Sequence, residues 1–584
     1  MTLPPTLQRW VHSAKVQRIT LVACMLLYAV SPVPEFWITQ LNYIALYSLV
    51  ILGLVLLTGI GAYTSAYLCT SMGWSPWLTV FAGLLITAVS ALILGWLTLR
   101  MSGHYLPLAT IAWGLSLYYL MGNVDGLGKY DGILDVPPIL LFGWDISRGR
   151  SFFVLAWGMV LFGAFALQNL LDSRTGRAIR AMRASTLMAE AMGVDTLRHK
   201  IGIFLIAALF ASLSGWLFAH FQHTVNPSPF SLKFGIEYLF MAVLGGAGFV
   251  WGAISGAVMT KLLEDELQVL LPKLLGTSGS YEVIVFGIVL VLVLKYLPDG
   301  VWSLVGRVLP KPQRVDDWQN AAPLPERAKP AHGDTVLEVK KIRKQFGGLT
   351  AVNDITFSIK AGQIVGLIGP NGAGKSTTFN LITGVLGLTT GEVQFCGEKV
   401  SDLPSREIAR RGVSRTFQHV KMIPELTVLE NVALGAQLRG HKDALSSMLR
   451  LDRGEEQSLL REAARQLERI GMGHAMHELA GNLAMGPQRL LEIARALCSD
   501  PALLLLDEPA AGLRHKEKQS LIAVLRQLRS EGMSILLVEH DMDLVMDVTD
   551  HIVVMEFGTM LMEGTPQEVQ ESPKVRAAYL GVEH

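Results

Sequence analysis

A glycine-rich loop that ends in lysine and serine is the clearest chemical feature of this 584-residue sequence. Residues 369–376 fit the spacing G-x-x-x-x-G-K-S, in which backbone N–H groups surround phosphate oxygens and the lysine reaches the β and γ phosphates. The loop follows the strand-like residues 364–368 and precedes a helical pattern, whose N-terminal dipole favours anions. Six residues form the predicted nucleotide site: Asn371, Gly372, Gly374, Lys375, Ser376 and Thr377. The Ser376 hydroxyl is also a predicted ligand of Mg²⁺.

A pair of carboxylates follows a second apolar run, residues 503–506. Asp507 stands where a strand would end and is a predicted ligand of Mg²⁺, while Glu508 can orient or deprotonate an attacking water. His540 follows a third run, 534–538, from which an imidazole can contact the γ-phosphate. Taken alone, an Asp-Glu pair after an apolar run is more often a strand terminus, and a lone histidine after a strand is more often a surface residue. A phosphate loop in the same region favours a hydrolytic site instead.

The elements that hold these residues occupy only the second half of the chain. The sequence is 51% hydrophobic and 17% charged, but charged residues make up roughly a tenth of residues 1–305 and roughly a quarter of the remainder. This split predicts a polytopic α-helical membrane domain followed by a soluble α/β domain. The balance of 50 basic and 49 acidic residues argues against a nucleic-acid partner, and the four scattered cysteines indicate neither disulfides nor zinc.

Eight apolar stretches are candidates for membrane spans, at residues 19–31, 41–70, 75–98, 104–121, 151–171, 201–222, 233–263 and 281–297. The basic residues around 174–200 predict that this loop is cytoplasmic. If each stretch crosses the membrane once, however, the basic N-terminus lies on the extracytoplasmic side, contrary to the preference of basic residues for the cytoplasm. We therefore expect either that glycines 59 and 61 break the second stretch or that a span is missing. The glycines at 245–248 should also break the stretch 233–263, either to line a polar pathway or to allow close helix packing.

The predicted domains are a transmembrane domain at 1–305, a Pro-rich solvated linker at 306–334 and a P-loop NTPase domain at 335–584. The linker contains five prolines among charged and small residues, and alternating strand and helix patterns begin after it. The P-loop domain should therefore lie on the same side of the membrane as the basic loop.

The soluble part resembles the ATPase of an ATP-binding cassette (ABC) transporter. Five motifs occur in that family's order: the phosphate loop, Gln418, residues 483–489, Asp507-Glu508 and His540. The resemblance implies that Phe346 stacks on adenine and that Gln418 contributes to both catalysis and Mg²⁺ binding. It also implies that Gly486 and Gln488, in the signature, clamp the ATP of a partner ATPase, with residues 420–485 forming a helical subdomain.

The membrane part resembles the permease of branched-chain amino acid importers. Residues 190–193 read Glu-Ala-Met-Gly, similar to the loop through which ABC importers dock on their ATPase, and imply that Glu190 and Gly193 couple the two domains. Residues 227–252 and 296–300 resemble the same permeases, and residues 415–431 and 508–513 resemble their ATPases. The chain is therefore similar to a fusion of one permease with one ATPase.

The resemblance implies an ATP-hydrolysing importer subunit, most simply for branched-chain or related apolar amino acids, with ATP and Mg²⁺ as cofactors. It implies a second permease and a second ATPase, an extracytoplasmic substrate-binding protein, and a multi-pass location in a bacterial inner membrane with the ATPase in the cytoplasm. Import of urea, amides or other small solutes is an alternative. An ABC exporter is a further one, although the spans are short and broken by glycine.

Three departures from the family pattern bear on function. Ala484 and Pro487 replace the usual serine and glutamine of the signature, which removes a hydroxyl donor to phosphate. Arg514 and His515 replace residues expected to communicate across an ATPase dimer. At residues 59–60 a Gly-, Ser- and Ala-rich segment of the family is missing.

Overall fold

The computed structural model describes residues 13–53, 55–101, 105–275, 282–309 and 318–580. It divides into two compact units. The first contains the described residues of 13–169 and 197–309, and the second contains residues 170–196 together with 318–580. The segment 170–196 therefore belongs to the same unit as the P-loop domain, although the chain reaches it from apolar helices on both sides.

The first unit is built from apolar helices. The helices up to residue 308, of which α7 and α8 belong to the second unit, are α1 (Ala14–Val30), α2 (Glu35–Leu52), α3 (Val55–Met72), α4 (Pro76–Thr98), α5 (Tyr105–Asn123), α6 (Gly149–Leu171), α7 (Arg174–Ala184), α8 (Thr186–Ala191), α9 (Thr196–Gln222), α10 (Leu232–Gly245), α11 (Val250–Leu275), α12 (Glu282–Tyr296) and α13 (Trp302–Val308). A two-stranded hairpin, β1 (Leu140–Leu141) and β2 (Trp144–Asp145), precedes α6.

Within the described residues, α2, α4, α6 and α9 are each long and apolar enough to cross a membrane. The pair α10 and α11 also passes by length and composition, but its two helices are bent by 115° at the break between them. The predicted interruption at glycines 245–248 is therefore confirmed. The predicted stretches starting at 104 and 281 begin on residues outside the described ranges, and the helices there are described from Tyr105 and Glu282.

The prediction that Gly59 and Gly61 break the second stretch is wrong. Both lie inside α3, and the helices instead separate at Gly53. A Cβ at Gly61 would lie 2.5 Å from the carbonyl oxygen of Ser212 on α9, and one at Gly59 would lie 2.7 Å from the Met121 side chain. These glycines therefore permit close helix packing, because any side chain would hold the neighbouring elements apart.

The second unit contains two sheets. Its strands are β3 (Thr335–Phe346), β4 (Leu349–Lys360), β5 (Ile364–Ile368), β6 (Thr390–Phe395), β7 (Glu398–Lys399), β8 (Val413–Arg415), β9 (Leu503–Asp507), β10 (Ser534–Val538), β11 (His551–Glu556) and β12 (Thr559–Gly564). One sheet has the order β12-β11-β5-β10-β9-β8 and is parallel except at β12. The other is antiparallel, with the order β4-β3-β6-β7. Strands β5, β9 and β10 are fully buried, as their continuous apolar runs predict.

Helices cover the sheets and form the predicted helical subdomain. They are α14 (Lys375–Ile382), α15 (Ser405–Arg411), α16 (Val428–Ala433), α17 (Ala444–Met448), α18 (Arg453–Arg469), α19 (Met485–Leu497), α20 (His515–Ser530), α21 (Met542–Val548), α22 (Pro566–Glu571) and α23 (Pro573–Leu580). Helix α16 begins with a capping box, in which the Thr427 hydroxyl and the Glu430 carboxylate each accept a backbone N–H. Its apolar residues then pack against α18 and α19.

The Pro-rich segment predicted as a linker contributes contacts to the second unit. Residues 310–317 lie outside the described ranges, but Trp318 and Leu324 pack against the apolar core under α18. The Arg439 guanidinium donates to the Pro325 carbonyl at 2.9 Å, and Glu326 pairs with Arg465 at 3.0 Å. This part of the segment is ordered because apolar and charged groups of the P-loop domain hold it.

Candidate functional site

The phosphate loop joins β5 to α14, as the sequence predicts. Gly369, Gly372 and Gly374 have φ values of +152°, +83° and +94°, which a residue with a side chain rarely adopts. A Cβ at Gly374 would also lie 2.5 Å from the Ala351 carbonyl oxygen. The glycines therefore allow the backbone to curl tightly enough for consecutive N–H groups to face one anion.

Lys375 is the first residue of α14 and its side chain points back into the loop. Its ammonium donates to the carbonyls of Gly369 at 2.6 Å and Pro370 at 3.0 Å. Burial lowers the pKa of Lys375, although the nearby Glu508 and Asp507 carboxylates oppose this effect. Asn371, Gly372 and Ser376 are exposed beside it, so the loop presents both a cation and a hydroxyl to a ligand.

Asp507 ends β9 with a carboxylate suited to a metal ion. Its backbone N–H donates to the Thr416 hydroxyl at 3.1 Å, and its side chain is buried. Burial raises the pKa of Asp507 to about 6, although Arg415 opposes this effect. Among the described residues, Oδ1 has no hydrogen-bond partner. A buried oxygen without a donor fits a site for Mg²⁺, which prefers carboxylate and hydroxyl ligands.

Glu508, Gln418 and His540 converge on one side of the carboxylate pair. The Gln418 side-chain amide donates to Glu508 Oε2 at 3.0 Å, and His540 Nδ1 lies 3.9 Å from the same oxygen. Glu508 has a φ of +46°, an unfavourable value for a residue with a side chain. The strain is tolerated because β9 and β10 fix the flanking chain: the Glu508 N–H donates to the Val538 carbonyl at 2.8 Å.

Two buried arginines, one bonded to Gln418 and one packed on its neighbour Phe417, were missed by the sequence interpretation. The Arg489 guanidinium donates to the carbonyls of Phe417 at 3.0 Å and Gln418 at 2.7 Å. The Arg415 guanidinium lies over the rings of Phe379 and Phe417, 4.6 and 4.9 Å from their centres. Both arginines stand inside motifs that the sequence analysis used, and their place there was the available signal.

The signature residues lie at the start of α19, whereas the phosphate loop precedes α14. Ala484 is the N-cap and offers no side-chain acceptor. Pro487 is the third helical residue, where its missing N–H costs little because the first four N–H groups lack helical partners. Gly486 is buried against Glu517 of α20, and the Gln488 amide donates to the Leu483 carbonyl at 2.7 Å. The substitutions at 484 and 487 therefore still allow the signature to begin a helix.

Phe346 ends β3 with an exposed ring. Its side chain is 46% exposed, and the Lys344 ammonium lies 5.1 Å from the ring centre. An exposed aromatic face is suited to stack on a nucleotide base. The position therefore fits the prediction that Phe346 contacts adenine.

The segment 170–196 packs into the helical subdomain through charge and apolar contacts. Arg177 on α7 forms a buried bidentate ion pair with Glu456 on α18, with Nη2 donating to Oε2 at 3.1 Å. The Arg174 guanidinium donates to the Gln437 and Gly440 carbonyls, both at 2.7 Å. Phe417, next to Gln418, belongs to the apolar cluster that surrounds α7 and α8. The segment thus touches the chain neighbours of a predicted catalytic residue.

Glu190 and Gly193 have different roles in this packing. The Glu190 carboxylate accepts from the Thr196 hydroxyl at 2.9 Å, so it stabilises the turn that follows α8. Gly193 has a φ of +82° and lies against the Leu438 side chain, which a Cβ would overlap. Gly193 is therefore the residue of the two that makes close contact with the P-loop domain.

Comparison with known proteins agrees with these two kinds of unit. Residues 43–294 match the model of the branched-chain amino acid transport system permease component. Residues 352–511 match the ABC transporter model, and residues 559–584 match that of the branched-chain amino acid ATP-binding cassette transporter.

Individual relatives match the second unit over nearly their whole length. The chain is 43% identical over 249 residues to the high-affinity branched-chain amino acid transport ATP-binding protein BraF of Pseudomonas aeruginosa, covering 42% of this chain and 98% of BraF. The corresponding protein LivG of Escherichia coli is also 43% identical, with the same coverage. Among solved structures, the chain matches the crystal structure of a nucleotide-free ATP-binding cassette from an ABC transporter, with 32% sequence identity and a TM-score of 0.38. The match covers 42% of this chain and 98% of that cassette. Since the permease model and the nearly full-length cassette relatives match successive parts of one polypeptide, the chain belongs to the branched-chain amino acid ABC transporter family, as a permease fused to its ATP-hydrolysing cassette.

Proposed function

We propose that this chain is the permease and ATPase subunit of an importer for branched-chain or related apolar amino acids. The observation that carries the proposal is the position of residues 170–196. They continue from an apolar helix of the permease, yet they pack inside the cassette unit. A change in the cassette therefore acts directly on the chain that enters the permease. The relatives' names supply the substrate class.

In the proposed hydrolytic site, ATP binds with its phosphates in the loop at 369–376. Lys375 exchanges its carbonyl partners for the β and γ phosphates, and its buried environment strengthens this attraction. Phe346 stacks on adenine. Glu508 accepts a proton from the attacking water, while Gln418 and His540 orient that water and the γ-phosphate.

Asp507, Ser376 and Gln418 would hold Mg²⁺ in this proposal. The buried Oδ1 of Asp507 supports the assignment, because among the described residues it has no other partner. When bound, the ion neutralises charge on the β and γ phosphates. The three residues would supply the ligands of the ion. Glu508 is not one of them, since its carboxylate already accepts a hydrogen bond from the Gln418 amide.

Coupling would run through the Gln418 region. Phe417 packs in the cluster with α7 and α8, and Arg489 fixes the backbone of both Phe417 and Gln418. A shift of Gln418 toward bound nucleotide therefore changes the surface on which the segment 170–196 rests. We infer that this contact converts hydrolysis into movement of α6 and α9, whose ends the segment joins.

The remaining parts of the proposal concern assembly and location. The apolar helices cross a bacterial inner membrane several times, and the cassette lies in the cytoplasm. One permease and one cassette are half of an ABC transporter, so a second permease, a second ATPase and an extracytoplasmic substrate-binding protein complete it. The altered residues Ala484 and Pro487 favour partners that are different chains, because the signature of this chain lacks a phosphate donor that a partner can retain.

The test is ATP-dependent uptake by the complex reconstituted in proteoliposomes, comparing leucine with urea and with no substrate. Glu508→Gln should retain ATP binding and lower hydrolysis and leucine uptake by about 10² to 10⁴, the range for loss of a positioned base. Lys375→Ala should weaken ATP binding itself, and the exposed Glu571→Gln serves as a matched control. Normal hydrolysis by Glu508→Gln would contradict the catalytic assignment, and uptake of urea without leucine would contradict the substrate class.

A further inference from the structure

The hairpin formed by β1 and β2 exposes large apolar side chains at its tip. Leu141 pairs with Trp144, so Phe142 and Gly143 form a two-residue turn with φ values of +50° and +87°. Positive φ at both positions is the geometry of a tight hairpin turn, usually filled by Asn and Gly. Here the first position is phenylalanine, for which that backbone conformation is strained.

The tip is unfavourable in water for a second reason. Phe142 is 97% exposed and Trp144 is 80% exposed, and the neighbouring Leu140 and Leu141 are also exposed. A contiguous exposed apolar patch marks a surface that meets a protein or a membrane. Backbone strain and aromatic exposure at one turn therefore indicate an apolar environment around the tip.

The base of the hairpin is held firmly, in contrast to its tip. Ile139 and Ser147 are fully buried, and the Ile139 N–H donates to the Ser147 hydroxyl. Just before them, the Pro137 carbonyl accepts from the ring of His220 at 2.7 Å. The exposed aromatic residues are consequently presented in a fixed orientation.

The hairpin is attached to the start of the most apolar span, α4. The Trp77 indole N–H, in the first turn of α4, donates to the Leu140 carbonyl at 2.8 Å. From that point six large apolar side chains form an exposed stripe at helical spacing along α4: Leu78, Phe81, Leu85, Val89, Leu92 and Trp96. The hairpin tip thus extends an apolar surface whose natural solvent is lipid.

We propose that residues 140–145 are an interfacial membrane anchor, with Phe142 and Trp144 seated at the boundary between lipid headgroups and acyl chains. Tryptophan is enriched at this depth because it is apolar with one polar N–H, and Trp74 and Trp77 stand at the same end of α4. The occupant is the lipid surface, since the patch is continuous with the stripe of α4. This inference rests on the proposal that α4 spans the membrane.

The experiment measures the depth of nitroxide labels by electron paramagnetic resonance in lipid nanodiscs containing the full chain. The exposed cysteines Cys24 and Cys396 are first replaced by serine, whereas the other two cysteines are buried. Labels are then placed through Phe142→Cys, Leu85→Cys and Asp131→Cys, one at a time. Collision with oxygen reports the bilayer, and collision with a water-soluble nickel chelate reports the aqueous phase.

We expect the label at 142 to collide severalfold less with the nickel chelate than the label at the exposed Asp131, and to approach the oxygen accessibility of the label at Leu85. Trp144→Cys gives a second label if the variant at 142 fails to fold. Equal nickel accessibility at 142 and 131 would overturn the anchor, as would shielding that appears only after substrate-binding protein is added. If the label at Leu85 is itself aqueous, the proposed span of α4 fails as well.

Discussion

The buried ion pair between Arg177 and Glu456 gives a quantitative test of coupling. The two side chains are 2% and 9% exposed, and the pair joins α7 of the segment 170–196 to α18 of the helical subdomain. Removing one partner leaves a buried charge without compensation, which costs about 3–5 kcal/mol. We therefore expect Glu456→Ala to weaken the packing of the segment against α18 by that amount. This corresponds to a factor of about 10² to 10⁴ in the equilibrium constant between the packed and the detached segment.

The assay compares uptake with ATP hydrolysis in reconstituted complexes. Glu456→Ala should abolish most uptake while hydrolysis continues, because Glu456 lies on α18 and has no contact with the phosphate loop or Asp507 among the described residues. Arg183→Ala, which removes an exposed basic residue of the same helix α7, is the matched control and should leave both activities close to the parent's. Melting temperature distinguishes lost coupling from general unfolding.

A double-mutant cycle decides whether the pair itself matters. Arg177→Met combined with Glu456→Leu removes both charges and fills similar volume, which is often neutral for a buried ion pair. We expect the double variant to recover much of the uptake lost in the single variants Arg177→Met and Glu456→Leu. If the defects of these two single variants simply add, the two side chains do not interact in the working transporter and the reasoning fails.

Three other predictions follow from the site and the segment. Because burial raises the pKa of Asp507 to about 6, its carboxylate becomes protonated as pH falls through 6, and the Mg²⁺ concentration for half-maximal hydrolysis should rise as pH is lowered from 7 to 5; an unchanged requirement would argue against Asp507 as a ligand. Ala484→Ser with Pro487→Gln should restore a phosphate donor and tighten nucleotide binding at the partner's site; unchanged binding would show that the Gly486 N–H suffices. Gly193→Ala should uncouple transport because its positive φ costs an alanine about 1–2 kcal/mol, whereas Gly202→Ala, in open space on α9, should have little effect when uptake is measured.

Much of the candidate hydrolytic site follows from local sequence. A phosphate loop needs glycine where φ is positive, a lysine at the helix start and a buried strand before it, and all of these requirements fall within a dozen consecutive residues. Asp507 and His540 could be predicted in the same way, since each follows a continuous apolar run that forms a buried parallel strand. Division into a membrane-like and a soluble part likewise follows from the change in charged content near residue 305.

Tertiary structure decided what depends on contacts between distant residues. The carbonyls of Phe417 and Gln418 are held by Arg489, 71 residues away from Gln418, and no periodicity links them. Gly59 and Gly61 resembled helix breakers in the sequence, yet they permit packing of α3, because a glycine's effect depends on what faces it. The motif at residues 190–193 predicted that this segment docks on the ATPase, but the sequence did not show that Arg177 pairs with Glu456, 279 residues away, inside the cassette unit. Sequence determines which backbone shapes and chemical groups are available, whereas the partner that satisfies each buried group is chosen only when the chain has folded.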